Sequence, residues 1–265
     1  MSNAYTNSKV KQFFLDIYKI LLKNARNLTE VWYEPSEIYA LLNIEKSAFE
    51  EFLFYFDFIK KQKGNYTNYI VIDKLQYILE ALKFLEVDIR NLSELLDFNG
   101  FEALVCEILL KHNYKAIKNF RFVDKSNFKH QTSQKKYEID VVGVGRNYIL
   151  LIDAKQWLKK DSFSAMNKAG NMQYRRVVAL KKNPEVFSAL VQKLLGFKAN
   201  FKNHLPFILI PLMVTLEDNG INMNDNQVPL VSIYKFNAFL NEFQNYLDYY
   251  QTVEIKRVNI QKQLG

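Results

Sequence analysis

Apolar positions recur at helical spacing in the first part of the chain and also form short extended runs. Phe13, Phe14 and Ile17 share one face at helical spacing and predict a first helix. Pro35 opens a second helix, because proline is favoured at a first helical position. Two β-type runs then surround Gly64-Asn65, which predicts a hairpin tip. The predicted elements are helices over residues 10–23, 35–42 and 46–58 and extended runs around 59–61 and 69–72.

A long stretch in helical register separates these elements from the rest of the chain. Leucine and isoleucine predict one helix over residues 74–98, and Asn99-Gly100 predicts a break after it. The order that follows is helix, three strands, helices, two strands and a helix. This mixture predicts an α/β (α+β) fold with a mixed sheet flanked by helices. These later elements are predicted over residues 101–111, 116–123, 137–155, 164–180, 185–197, 205–216, 228–234 and 237–250.

The excess positive charge of the chain, +8 in total, belongs to the second of two predicted domains. Residues 1–98 hold 12 Lys and Arg against 14 Asp and Glu, a net of −2. Residues 99–265 hold 24 against 14, a net of +10. A basic domain is a candidate for binding polyanions such as nucleic acid, because neutralised phosphates release counterions. A generally basic proteome would give the same balance.

The apolar runs and the cysteine content bear on location. No apolar run approaches the roughly 18 residues of a membrane span, so no membrane association is predicted. The start of the chain lacks the basic and apolar pattern of a signal peptide. The single cysteine, Cys106, cannot form an internal disulfide. Together these features predict a cytoplasmic protein.

Three helices followed by a hairpin resemble a winged-helix domain, so residues 1–98 are predicted to be winged-helix-like. Such domains read DNA with the third helix. Here that helix is acidic, which opposes phosphate binding and favours a protein partner or a homodimer. The hairpin is basic and could contact a nucleic-acid backbone. The acidic residues are Glu50, Glu51 and Asp57, and the basic residues are Lys60, Lys61 and Lys63.

The stretch YEIDVVGVGRNYILLIDAK, residues 137–155, carries the most informative pattern of the second domain. A two-residue turn at Arg146-Asn147 would pair Gly145 with Tyr148. Counting outward places Asp140 opposite Asp153, and by the same count Glu138 lies opposite Lys155. Strand side chains alternate with period two, so all four would project from one face.

Two carboxylates facing each other across a sheet need compensation, because like charges destabilise each other there. Either one carboxyl stays protonated or a cation lies between the two. Oxygen ligands at close range suit a hard ion such as Mg²⁺ or Mn²⁺. Alternatively, the pair lies at a water-exposed hairpin end and has no function.

The order of these residues resembles the PD-(D/E)XK nuclease superfamily. The resemblance is carried by Asp140, by Asp153-Ala154-Lys155 and by Glu102 in Phe101-Glu-Ala-Leu-Val. The helix FEALVCEILLKHNY is similar to that of Holliday-junction resolvases and modification-dependent restriction enzymes. The resemblance covers about residues 99–216 and implies a restriction-endonuclease-like domain over 99–265. One departure is Ile139, where the family pattern has proline.

The resemblance implies a metal-dependent endonuclease that hydrolyses phosphodiester bonds, with DNA as the expected substrate. Asp140, Asp153 and the Ala154 carbonyl would hold one Mg²⁺ or Mn²⁺ ion, and a second ion would use Glu102. Lys155 would orient the attacking water and offset developing negative charge. An alternative role for Lys155 is a cross-strand salt bridge to Glu138.

Polar residues elsewhere in the second domain are candidates for binding nucleic acid. An ordinary polar helix face or a solvated loop would account for them equally well. The candidate residues are Gln173, Arg175 and Arg176 on a helix and Lys135 and Lys136 in a basic segment with Arg121, Lys125, Lys129 and His130, with Trp157 and Tyr137 as stacking groups.

Two further hypotheses remain open for the whole protein: a catalytically silent nuclease-fold module that binds nucleic acid or protein, and a winged-helix regulator.

Overall fold

The computed structural model describes residues 7–38, 53, 55–85, 88–125, 135–156, 163–196, 199–218 and 220–258. The chain forms two compact units, residues 1–101 and 102–265. The sequence had placed this boundary three residues earlier, between residues 98 and 99. Helices and strands are mixed, which confirms the predicted α+β class. No described helix is long and apolar enough to cross a membrane.

The first unit contains helices and a three-stranded antiparallel sheet. Helix α1 (Asn7–Leu21) buries the apolar face that the sequence predicted. Strands β2 (Ile59–Lys63) and β3 (Asn68–Asp73) form the predicted hairpin, and β1 (Glu30–Tyr33) pairs with the other edge of β3. Strand β1 was not predicted, because it buries one residue of four and shows no alternation. A 3₁₀ turn covers Pro35–Glu37; residues 39–52 lie outside the described residues, with most of the predicted second and third helices.

The predicted single helix over residues 74–98 is wrong. Helix α2 (Lys74–Phe84) ends where Leu85 adopts an extended conformation, and a short helix α3 (Ile89–Ser93) follows. Leu79 on α2 and Leu92 on α3 are both buried, so the helical spacing of apolar residues continues across the break between the two helices. The predicted break at Asn99-Gly100 is also wrong. Both residues lie in the first turn of α4 (Phe98–Lys111), where the Gly100 N–H donates to Asp97 Oδ1 at 2.9 Å.

The second unit is a mixed sheet with helices packed against it. Within the described residues six strands have the order β4-β5-β6-β7-β8, and β9 pairs with β7. The β4–β5 and β5–β6 pairs are antiparallel, and β6 runs parallel to β7 because two helices cross between them. The elements are β4 (Lys115–Asp124), β5 (Lys135–Gly145), β6 (Tyr148–Lys155), α5 (Phe163–Lys182), α6 (Pro184–Leu195), β7 (Phe207–Thr215), β8 (Leu230–Ser232), α7 (Ile233–Glu242), a 3₁₀ helix (Phe243–Tyr249) and β9 (Val253–Ile255).

Two boundaries near the end of the chain differ from the prediction. The strand predicted over residues 228–234 ends at Ser232, whose hydroxyl caps α7 by accepting from the Lys235 N–H. The final helix therefore starts four residues before the predicted residue 237. Strand β9 was not predicted, because only three residues pair.

The sheet opens between β5 and β6, and this opening positions the site. The two strands turn at Arg146-Asn147 as predicted and pair from Gly145↔Tyr148 to Val141↔Ile152. Beyond that pair the two strands separate. Strand β5 remains paired with β4 as far as Lys135, and β6 remains paired with β7 as far as Lys155. We call this separation the fork. Asp140 and Asp153 are the first residues beyond the last pair.

Candidate active site at the fork

Asp140 lies at an interruption of both neighbouring ladders. The β4–β5 register passes from Lys118↔Val141 to Phe120↔Ile139 without a pair between Asn119 and Asp140. Asn119 has a φ of 54°, a left-handed conformation that Asn tolerates better than most residues. Asp140 Oδ2 accepts a hydrogen bond from the Ala154 N–H at 2.9 Å. The carboxylate thus replaces a backbone partner and is held against β6.

Asp140, Asp153 and Lys155 converge on one face of the sheet. Lys155 Nζ lies 3.1 Å from Asp153 Oδ1 and 3.6 Å from Asp140 Oδ2. Asp153 is 1% exposed and Asp140 8% exposed, so the two carboxylates are not at a water-exposed hairpin end. The structure therefore brings together the three residues of the sequence motif.

Glu138 does not join this group. Counting from the turn had placed it opposite Lys155, but β5 and β6 stop pairing at Val141. Glu138 instead forms an exposed ion pair with Arg121 on β4, with Arg121 Nη2 2.9 Å from Glu138 Oε1. The alternative salt bridge between Lys155 and Glu138 is replaced by the contacts of Lys155 with the two aspartates.

Helix α5 contributes two residues that contact the fork from one side. Arg176 Nη1 lies 2.7 Å from Asp153 Oδ1 and donates to Gln173 Oε1 at 2.9 Å. Gln173 is fully buried, and its Nε2 donates to the Leu151 carbonyl at 2.6 Å. The prediction that Gln173 contacts nucleic acid is therefore wrong for this conformation, because no surface of its side chain is accessible. Arg175 is exposed.

Glu102 lies within electrostatic reach of the fork. Burial, followed by the charge of Asp140, raises the pKa of Glu102 to about 7, and the cations of Lys118 and Lys155 act in the opposite direction. In the part of the chain that the structure describes, however, no three His, Cys, Asp or Glu side chains are grouped to hold a metal ion. Glu102, which the resemblance assigns to a second ion, is thus not grouped with the two aspartates in this conformation.

The electrostatics of the fork show incompletely neutralised negative charge. Burial and the neighbouring Asp153 raise the pKa of Asp140 to about 6, although Lys155, the Ala154 N–H and Arg176 lower it. Burial alone would lower the pKa of Lys155, but Asp153 and Asp140 outweigh that effect and raise it. Lys155 is therefore a cation at neutral pH, and Asp140 is poorly stabilised as an anion without further positive charge.

The donor set fits a hard divalent cation. The hydrogen bonds and ion pairs of the aspartates go through one oxygen each, Asp140 Oδ2 and Asp153 Oδ1. Among the described residues, no group donates a hydrogen bond to Asp140 Oδ1 or Asp153 Oδ2. The Lys155 carbonyl accepts from Leu216 beside β7, so the Ala154 carbonyl points to the opposite side, toward the fork. Two carboxylate oxygens and a carbonyl, completed by water, suit Mg²⁺ or Mn²⁺.

The other predicted nucleic-acid contacts lie along β5 or outside the described residues. Lys136 is exposed on β5 opposite Val123. Lys135 pairs with Asp124 through its backbone, and its side chain lies outside the described structure, as do Lys129, His130 and Trp157. Tyr137 is half-buried with its ring 5.5 Å from that of Phe122. Of these groups, the described side chains of Lys136 and Tyr137 have no ion pair or hydrogen bond with the aspartates.

Two residues near the site were not predicted from the sequence. Lys118 is exposed on β4, where its charge lowers the pKa of Glu102, and Asn119 carries the left-handed backbone beside Asp140. Both depend on the register between β4 and β5, which are separated by a long polar segment. No local pattern fixes that register.

No protein-family model and no curated protein sequence matches the chain. Among solved structures, the chain is similar to protein VC1899 from Vibrio cholerae, with a TM-score of 0.31 and 11% sequence identity. The superposition covers 92% of this chain and 51% of that protein, so the chain spans about half of its length. A similarity at this level carries no argument about fold or function.

Proposed function

We propose that the second unit is a divalent-metal-dependent nuclease that hydrolyses phosphodiester bonds of nucleic acid, with DNA as its substrate. The observation that carries the proposal is the arrangement at the fork. Two buried carboxylates from adjacent strands contact the same lysine, and each keeps one oxygen without a hydrogen-bond donor among the described residues. This is the constellation that the resemblance to PD-(D/E)XK nucleases implies.

The residues at the fork divide the chemical work. Asp140, Asp153 and the Ala154 carbonyl would hold the ion. When bound, Mg²⁺ or Mn²⁺ lowers the pKa of a coordinated water and offsets charge on the phosphate. Lys155 stays protonated between the aspartates, where its ammonium can orient the attacking water and stabilise negative charge that develops in the transition state.

The charge of the chain supports a polyanionic substrate. Residues 99–265 carry a net charge of +10, which favours association with phosphate backbones and makes it sensitive to salt. Arg175 and Lys136 are exposed and can contact phosphates without breaking an ion pair at the fork. We place this activity in the cytoplasm, and we assign the first unit to a protein partner or a homodimer contact.

Cleavage by the purified 265-residue chain tests the proposal. Duplex, single-stranded and branched DNA and RNA are incubated with Mg²⁺, Mn²⁺ or a chelator. Wild type should cut at least one form with metal only. Asp140→Ala and Lys155→Ala should each lower the rate about 100-fold or more, a typical loss when a group that stabilises the transition state is removed. Glu138→Ala is the matched control, because Glu138 lies on the same strand but pairs with Arg121.

A wild type that cuts none of these substrates with either metal overturns the proposal. An equal rate for Asp140→Ala and wild type would assign the cleavage to another site or to a contaminant. A loss of cleavage by Asp140→Ala or Lys155→Ala supports the proposal when circular dichroism shows that the variant is folded.

One observation favours a second candidate function, a catalytically silent module that binds nucleic acid. Lys155 and Arg176 already contact Asp153, and no third carboxylate, histidine or cysteine joins the aspartates within the described residues. A silent module should bind nucleic acid equally well with chelator and with metal, and no variant at the fork should change that affinity. The same substrate panel separates the two functions.

A further inference from the structure

We infer that Arg176 is a positioning residue, which holds Asp153 in the orientation needed for a divalent ion. The sequence pointed instead to a contact between Arg176 and a phosphate of nucleic acid. This inference rests on the proposed metal site at the fork. It concerns only residues of this chain and the way they prepare Asp153.

The guanidinium of Arg176 is anchored at two points. Its Nη1 lies 2.7 Å from Asp153 Oδ1 and 2.9 Å from Gln173 Oε1. Gln173 is fully buried, and its Nε2 donates to the Leu151 carbonyl at 2.6 Å. The chain of contacts therefore begins and ends on β6, at Leu151 and at Asp153, and fixes the guanidinium relative to the strand that carries the carboxylate.

This anchoring determines which oxygen of Asp153 remains for a further ligand. Arg176 and Lys155 both contact Oδ1, at 2.7 and 3.1 Å, so Oδ2 is left for a further ligand. Asp140 has the same arrangement, with Lys155 and the Ala154 N–H on Oδ2. Carboxylates that bind metals are commonly held in this way by outer hydrogen bonds, which fix their orientation.

A contact between Arg176 and substrate phosphate fits the structure less well. The Arg176 side chain is 20% exposed, and the Asp153 side chain that it contacts is 2% exposed. Withdrawing Arg176 toward a phosphate would leave a buried carboxylate with fewer compensating charges, which is strongly unfavourable. Arg175, next to it on the same helix, is exposed and can meet a phosphate without that penalty.

Calorimetric titration of Mn²⁺ into the metal-free, 265-residue chain tests the inference without nucleic acid present. Arg176→Ala should bind Mn²⁺ about 10–100-fold more weakly than wild type, the usual effect of removing an outer-shell partner. Arg175→Ala is the matched control and should bind like wild type. Arg176→Lys keeps the positive charge but lacks the planar set of N–H donors of arginine. Its affinity for Mn²⁺ should therefore lie between those of Arg176→Ala and wild type.

Two further readouts separate positioning from a general structural role. Millimolar methylguanidinium should restore Mn²⁺ affinity to Arg176→Ala and leave Arg175→Ala unchanged, because it replaces the missing group in the space that Arg176 leaves. In cleavage assays, Arg176→Ala should lower kcat with little change in KM for nucleic acid. If Arg176→Ala does not fold, Arg176→Lys carries the test.

Each other outcome overturns the inference. Unchanged Mn²⁺ affinity together with weaker nucleic-acid binding would assign Arg176 to phosphate. Tighter Mn²⁺ binding by Arg176→Ala would make Arg176 a competitor of the ion. If wild type itself binds no Mn²⁺, the proposed metal site fails and the inference fails with it, whereas the first two outcomes leave that site intact.

Discussion

The two ends of the β5–β6 pair differ in the kind of side chain that they bury. Toward the turn, Val142, Val144, Ile149 and Leu151 are at most 2% exposed and belong to one apolar core. At the fork, Asp140 and Asp153 are nearly as buried but carry charge, and the ladder ends beside them. The turn end supplies stability, whereas the charge of Asp140 at the fork should lower stability, at the position of the proposed metal site. Local rules for folding are commonly broken where a chain has a function.

The largest expected effect on stability lies toward the turn. Leu151→Ala removes a fully buried side chain from the core, which typically lowers the free energy of unfolding by about 2–5 kcal/mol. Urea unfolding followed by circular dichroism measures the change. A loss below about 0.5 kcal/mol would show that this end of the hairpin is not the main source of stability.

At the fork, removing a buried charge should instead raise the free energy of unfolding. The pKa of Asp140 is about 6 in the folded protein, above its ordinary value of 3.8. Between these values the folded state binds more protons than the unfolded state, so the stability contributed by Asp140 falls as pH rises through this window. The loss is complete above about pH 6.

Asp140→Asn should therefore raise the free energy of unfolding by about 1–3 kcal/mol at pH 8 without divalent metal, since one pKa unit corresponds to about 1.4 kcal/mol. At pH 4 the variant and wild type should have nearly equal stability. Urea unfolding in chelator at both pH values gives the comparison. A variant that is less stable than wild type at pH 8 would mean that Lys155 and Arg176 fully compensate the carboxylate.

Glu102→Gln should give a smaller gain with the same sign, because Glu102 is only half-buried and solvent screens its charge more than that of Asp140. The pKa of Glu102 is raised from 4.5 to about 7, so its charge is unfavourable at pH 8, whereas at pH 4 the carboxyl is protonated in the folded and mostly protonated in the unfolded state. The melting temperature in chelator should rise at pH 8 and stay nearly unchanged at pH 4. Glu107→Gln, on the same helix, is the matched control. An equal rise at both pH values would attribute the effect to something other than ionisation.

The smallest effect is expected at the turn itself. Arg146 has a φ of 55°, a left-handed conformation that glycine adopts without the steric cost paid by other residues. Arg146→Gly should raise the free energy of unfolding by up to about 1 kcal/mol and leave cleavage unchanged. Slower cleavage by this variant would show that the two ends of the hairpin are coupled.

The sequence predicted the parts of the site that depend on one strand pair. A two-residue turn and the period of a strand were sufficient to place Asp140 and Asp153 on one face with Lys155 beside them. The partner of Glu138 depends on the β4–β5 register, across a long polar segment, and was therefore missed. The burial of Gln173 depends on how α5 packs against the sheet, which helical spacing alone does not determine.

The same distinction applies to the fold. Long periodic segments such as α1 and α5 were predicted within a few residues, because their apolar faces are continuous. Strands β1 and β9 are four and three residues long, too short for a period to appear. The break at Leu85 was missed because apolar residues on both sides of it are buried in the same unit.

Diffraction from a crystal grown with Mn²⁺, recorded at the manganese absorption edge, tests the central claim most directly. The account predicts one anomalous peak at the fork, in contact with Asp140 Oδ1, Asp153 Oδ2 and the Ala154 carbonyl, with Lys155 and Arg176 still on the other oxygens. A fork without a peak in a crystal that holds Mn²⁺ elsewhere would contradict it.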